Sequence, residues 1–128
     1  MRLLLDSHAL IWAVDDPTRL PTNVPAELRA PANELWVSAA TIWELSIKCS
    51  LGKLTLSLPF RIWIEQAMND IGAAVLPVTI PHADRQVQLP FHHRDPFDRL
   101  LIAQALVEDM TIVSNETLFD VYGVVRLW

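Results

Sequence analysis

Cysteine occurs once, at Cys49, which excludes an internal disulfide framework and any all-cysteine metal site. Only four histidines are present, and they are too scattered to suggest a zinc cluster. Glycine is scarce as well: there are three, and none follows a strand in the pattern of a phosphate-cradling loop. Neither a Gly-x-Ser-x-Gly elbow nor a His-Glu-x-x-His helix occurs. No apolar run approaches the roughly 20 residues of a membrane helix. The apolar opening Leu3-Leu4-Leu5 is broken at once by Asp6, so neither a membrane segment nor an export signal is expected. A reduced, cytoplasmic setting is the natural expectation. Basic excess is also missing. A net charge of −5 argues against a protein that merely coats nucleic acid, whose affinity would come from neutralising phosphates. It remains compatible with a nucleic-acid enzyme in which a bound metal supplies the positive charge.

Over half of the 128 residues are apolar and a fifth are charged, which fits one compact domain over residues 1–128. The pattern alternates. Apolar runs at 2–5, 35–38, 73–78, 110–114 and 124–128 read as strands. Helical periodicity covers 7–14, 41–48, 60–71 and 93–108, with shorter helices at 26–30 and 81–89. Proline or glycine punctuates most boundaries, and Pro77 assigns the third strand to an edge or a strand end. Residues 54–58 read as an extended piece leading into Pro59. Strands alternating with helices imply an α/β fold with a mainly parallel sheet, and ligands then bind beyond the carboxyl ends of the strands.

Acids gather at those ends. Asp6 closes the first strand, Glu44 follows the second near a helix start, and Asp95 and Asp98 open the helix leading to the fourth strand. Glu116 follows that strand by two residues. Each acid has a plain structural explanation. Thr41 to Glu44 matches a capping box, with Lys48 placed for an ion pair. Asp95 before Pro96 suits a helix cap, and Glu116 could be an exposed loop acid. Asp6 is harder to dismiss, because an acid directly after a buried strand is costly unless paired or coordinated. Asp98 would share a helix face with Leu101, Ile102 and Ala105, the stripe that should face the core. Together the carboxylates would raise one another's pKa unless a cation neutralised them, and hard divalent ions are the natural partner. Metal-dependent phosphoester chemistry is therefore preferred to a purely structural cluster. Ser7 and His8 would diverge on a helix and make a weak nucleophile–base pair. His92 and His93 read as loop or cap residues. The tryptophans at 12, 36, 43, 63 and 128 read as core or interface residues rather than stacking platforms.

The chain resembles the PIN-domain ribonucleases, in particular the VapC-type toxins of bacterial type II toxin–antitoxin modules. The resemblance rests on Leu4-Leu5-Asp6-Ser7-His8-Ala9-Leu10, Val37 to Lys48, Leu51-Gly52-Lys53-Leu54, His92 to Ala105 with its Asp-Pro-Phe-Asp core, and Phe119 to Val124. It implies a three-layer α/β/α fold and an endoribonuclease that uses Mg2+ or Mn2+. It also implies that the acidic quartet falls on Asp6, Glu44, Asp98 and Glu116. Asp6 and Asp98 would be direct metal ligands, Glu44 would act directly or through water, and Asp95 would be an additional acid. Position 116 usually holds aspartate in this family, and Ser7 stands for a usual threonine. Arg94, Arg99, Lys48 or Lys53 would hold flanking phosphates, a cognate antitoxin would fill the groove, and a homodimer is expected. The alternative is a catalytically inactive PIN-like module that docks a basic partner. A phosphatase of the haloacid-dehalogenase type is discounted, because its second aspartate would fall on His8.

Overall fold

The computed structural model describes residues 1–128, and its centre is a five-stranded, fully parallel sheet. In chain order the elements are β1 (Arg2–Leu5), α1 (Ser7–Asp15), α2 (Asn23–Arg29), β2 (Glu34–Ser38), α3 (Ala39–Ser50) and α4 (Phe60–Ile71). They continue with β3 (Ala73–Leu76), α5 (Ile80–Val87), α6 (Pro96–Glu108), β4 (Thr111–Val113) and β5 (Arg126–Leu127). Two 3-10 segments, Pro17–Arg19 and Thr117–Tyr122, complete the chain. The strand order is β3-β2-β1-β4-β5, so the first strand made is the middle of the sheet.

Period-two alternation explains why β1 can sit there. Leu3 and Leu5 belong to one core with α1, α4 and the inner face of α3, while Leu4 belongs to the other with α6 and Phe119. Val113 and Ile112 of β4 divide between the two cores in the same way. Both sheet faces are therefore covered by helices, as the three-layer expectation requires. The third strand is an edge strand, as Pro77 suggested, and it ends at Leu76. Residues 54–58 form neither helix nor strand, and Thr117–Tyr122 is a 3-10 turn that the periodicity did not reveal. No helix is long and apolar enough to cross a membrane.

One expected device is replaced. Thr41 and Glu44 do not form a capping box; the Ser38 side chain caps α3 instead, accepting from the Ala40 N–H at 3.1 Å. The reason is that β2 runs into α3 with no intervening loop, which makes Ser38 the last non-helical residue. The helix thus begins earlier than its sequence suggested, and Glu44 lies in its second turn.

Candidate active site

Parallel strands put all their carboxyl ends on one edge, and the helices that return from that edge begin there. Asp6 stands directly after β1, where its Oδ1 caps α1 by accepting from the Ala9 N–H at 2.8 Å. Glu44 projects from α3. Asp95 caps α6, accepting from the N–H groups of Phe97 at 2.8 Å and Asp98 at 3.3 Å, and Pro96 takes the first helical position. Asp98 follows in the first turn. Glu116 caps the 3-10 turn after β4, accepting from the Leu118 N–H at 3.1 Å, and is exposed.

The five acids share one electrostatic neighbourhood. The Asp98 carboxyl is pushed up to about 7, first by burial and then by the charges of Asp95, Glu44, Asp6 and Glu116. Asp6, only 7% exposed, is also raised, chiefly by burial; the Ser114 side chain, the Ala9 N–H and His8 partly relieve it, and Glu116 adds to the rise. Glu44 is raised by burial, with Lys48 opposing and Asp95 and Asp6 adding to it. Its partner Lys48 Nζ lies 3.5 Å from Glu44 Oε2, so the expected ion pair is present.

His93 belongs to this edge as well, which its reading as a loop residue missed. Its Nδ1 accepts from the Asp95 N–H at 3.2 Å, so that the ring proton of the neutral side chain resides on Nε2. Nε2 lies 3.0 Å from Asp98 Oδ2, a close contact without hydrogen-bond geometry. The loop reading was correct for one ring nitrogen and silent about the other. Ser114 was missed too. It is fully buried at the end of β4, accepts from the Glu116 N–H at 3.0 Å and stands beside Asp6.

Arg99 requires a correction. It was expected near flanking phosphates, but it is 2% exposed. Its Nη1 donates to the carbonyls of Pro90 at 2.9 Å and His93 at 3.3 Å, and its Nη2 to Gln86 at 3.2 Å and Leu89 at 3.1 Å. The Phe91 ring covers the guanidinium at 4.1 Å. The segment 86–93 wraps this side chain and takes up both Nη groups, leaving the buried Nε without a partner, so the guanidinium cannot reach RNA. Arg94 and Lys53 are exposed and Lys48 half-buried.

The donor set fits a hard divalent cation. The raised groups at this edge are all carboxylates, and their mutual repulsion is a deficit of positive charge that Lys48 only partly offsets. No three His, Cys, Asp or Glu side chains converge into a ready metal cage. A cavity of about 720 Å3 lies elsewhere, between α1, α2 and α4, with only Arg29 and Asp70 as charged lining.

Residues 3–124 match the PIN domain family. The chain is 29% identical over 115 residues to Ribonuclease VapC22 of Mycobacterium tuberculosis, covering 89% of this chain and 86% of that protein. Its fold is similar to VapBC2 from Rickettsia felis, solved bound to a DNA fragment from its promoter, with a TM-score of 0.76 and 16% identity. That likeness covers 100% of this chain and 99% of the other. FitAcB from Neisseria gonorrhoeae gives a TM-score of 0.66 at 20% identity, over 98% and 96% of the two chains.

Proposed function

The chain belongs to the PIN-domain family, and from that premise we propose that it is a metal-dependent endoribonuclease, the toxin of a type II toxin–antitoxin module. The observation that carries the reading is Asp98, whose carboxyl is pushed up to about 7 by burial and by four other acids at one sheet edge. Such an arrangement is costly by itself and becomes favourable when a cation enters. A curated relative named as a ribonuclease and structural neighbours solved as VapBC assemblies point to the same substrate class and to an antitoxin partner. The whole chain acts as a single domain in the cytoplasm and pairs as a homodimer.

Asp6 and Asp98 would hold Mg2+ or Mn2+, with Glu44, Asp95 and Glu116 contributing directly or through water. A divalent ion held there supplies positive charge to the phosphoryl oxygens and acidifies the water it binds. The protein's own groups do the rest. Glu44, whose pKa is raised chiefly by burial, would orient the attacking water and receive its proton. Lys48 holds the Glu44 carboxylate, and the His93 ring packs against Asp98 with Nε2 3.0 Å from Oδ2. Glu116, one methylene longer than the family's usual aspartate, would act through its reach from the cap of the 3-10 turn.

The direct test is cleavage of RNA with Mg2+ or Mn2+. Asp6→Asn and Asp98→Asn should each lose at least about a hundredfold in rate while retaining a native circular-dichroism spectrum. A wild type that binds no divalent ion, with variants that cut as well as it does, would sink the reading. The alternative, an inactive docking module, draws only on Glu116, whose carboxylate is engaged in a cap. Metal-dependent turnover removes that alternative.

A further inference from the structure

The chain has only two lysines, Lys48 and Lys53, and both line one cleft beside the acidic edge. Its volume is about 430 Å3, within the roughly 300–1,000 Å3 range of small-ligand clefts. Ser7, His8, Trp12 and Arg19 share the lining. The position ties it to the acids at two points: Ser7 follows Asp6 directly, and Lys48 contacts Glu44. Aromatic and cationic groups alternate within it. The Trp12 ring is half-buried, with the His8 ring 5.4 Å away and the Arg19 guanidinium 5.0 Å over it. His8, Arg19 and Lys53 are exposed.

Much of the remaining positive charge is committed elsewhere. Arg2 is paired with Glu34 and Glu108, Arg61 with Glu65, Arg126 with Asp120, and Arg99 is bound to carbonyls. On an acidic protein this cleft is a local basic pocket with a π-face at its wall, joined to a site that handles phosphodiesters. Stacking on an aromatic ring with cations along the backbone is how single strands are held without base-specific hydrogen bonds.

We propose that this cleft is a nucleotide subsite: it takes one nucleotide of the RNA next to the cut, its base stacked in the Trp12–His8–Arg19 group and its phosphate on Lys48, Lys53 and Arg19. The proposal rests on the nuclease reading and deepens it. It adds a binding role to Trp12, whose half-buried ring also packs against the core and lies 5.8 Å from the Trp128 ring, as its reading from sequence as a core or interface residue expected. A basic peptide is repelled by the same lining, so the cleft is not where a positively charged partner segment would dock.

Binding is best read apart from cleavage. A short fluorescent 2′-O-methyl oligoribonucleotide is titrated with the full chain in the Asp98→Asn background, in EDTA, and anisotropy is followed at several salt concentrations. Trp12→Ala should weaken binding about tenfold or more, and Trp12→Phe should keep most of the affinity. Lys53→Ala and Arg19→Ala should each lower the slope of log affinity against log salt by about 0.7. If Trp12→Ala does not fold, the two exposed cations decide alone. Wild type that cleaves RNA, with affinity and salt slope unmoved by these substitutions, overturns the subsite and leaves the nuclease reading intact. Wild type that cleaves no RNA with any divalent ion fails the nuclease reading first. A polyglutamate peptide that binds through Lys53 where the oligonucleotide does not would assign the cleft to an acidic protein segment and overturn the proposal.

Discussion

Asp98 and Arg99 are neighbours on α6, and the fold treats them in opposite ways. Arg99 is buried and its guanidinium is bound to four backbone carbonyls, which closes the segment 86–93 around it. Asp98 keeps a half-buried carboxyl among four other acids, with only the His93 ring against it. The nearest arginine in sequence could have neutralised that edge and does not. Its charge is committed to architecture, and the acids are left for a cation that comes from outside. An acid left open to a cation, beside a guanidinium bound to backbone, separates what the fold needs from what the chemistry needs.

Arg99→Ala should break the contrast from the structural side. It strands four carbonyls and a cavity, and a loss of about 3 kcal/mol or more is expected in urea denaturation. Arg99→Lys should recover little, because a single ammonium cannot span the same four acceptors. A variant as stable as wild type would show that the clamp is incidental.

Asp98→Asn should break it from the other side, with opposite sign. A carboxyl raised from 3.8 to about 7 binds its proton more tightly in the folded state. Its ionisation therefore costs stability: nothing below about pH 4, and progressively more as pH rises toward 7. In EDTA, wild type should lose stability across that window. Asp98→Asn should show a shallower slope, the rest coming from the raised carboxyls of Asp6 and Glu44, and be on the order of 2 kcal/mol more stable at pH 7, after allowance for solvent screening. Mg2+ should raise the melting temperature of wild type and not of the variant. Equal pH slopes in the two proteins would remove the electrostatic argument.

Glu116→Asp gives the smallest effect. It restores the acid usual in the family at the rim of the edge, and Mn2+ affinity by calorimetry should change by less than about fivefold, or about 1 kcal/mol. A larger gain would mean that the glutamate is a weakened ligand and not a working substitute.

Much of the parallel sheet was legible because buried strands carry their own signature: Leu3-Leu4-Leu5 is apolar at every position since both faces are covered. The placement of Asp98 was legible from helical spacing, and Asp95 from the proline that follows it. What failed depended on contacts distant along the chain or on loop length. Thr41 looked like a cap because nothing in the sequence says that β2 enters α3 without a loop. Arg99 looked like a phosphate ligand because its burial arises from a segment wrapping back over α6. His93 was half-legible, since one ring nitrogen serves the local turn and the other a partner across the site.

The position of β1 also sets an order of assembly. Leu3 is paired with Leu35 on one side and with Thr111 on the other. A chain emerging from synthesis can join β1 to β2 early, which brings Asp6 and Glu44 together. Asp98 and Glu116 take their places only when β4 slides in beside β1, a late contact that spans most of the chain. The acidic edge is thus complete only once β4 has docked, and a partially made chain carries Asp6 and Glu44 without the other three carboxylates they act with.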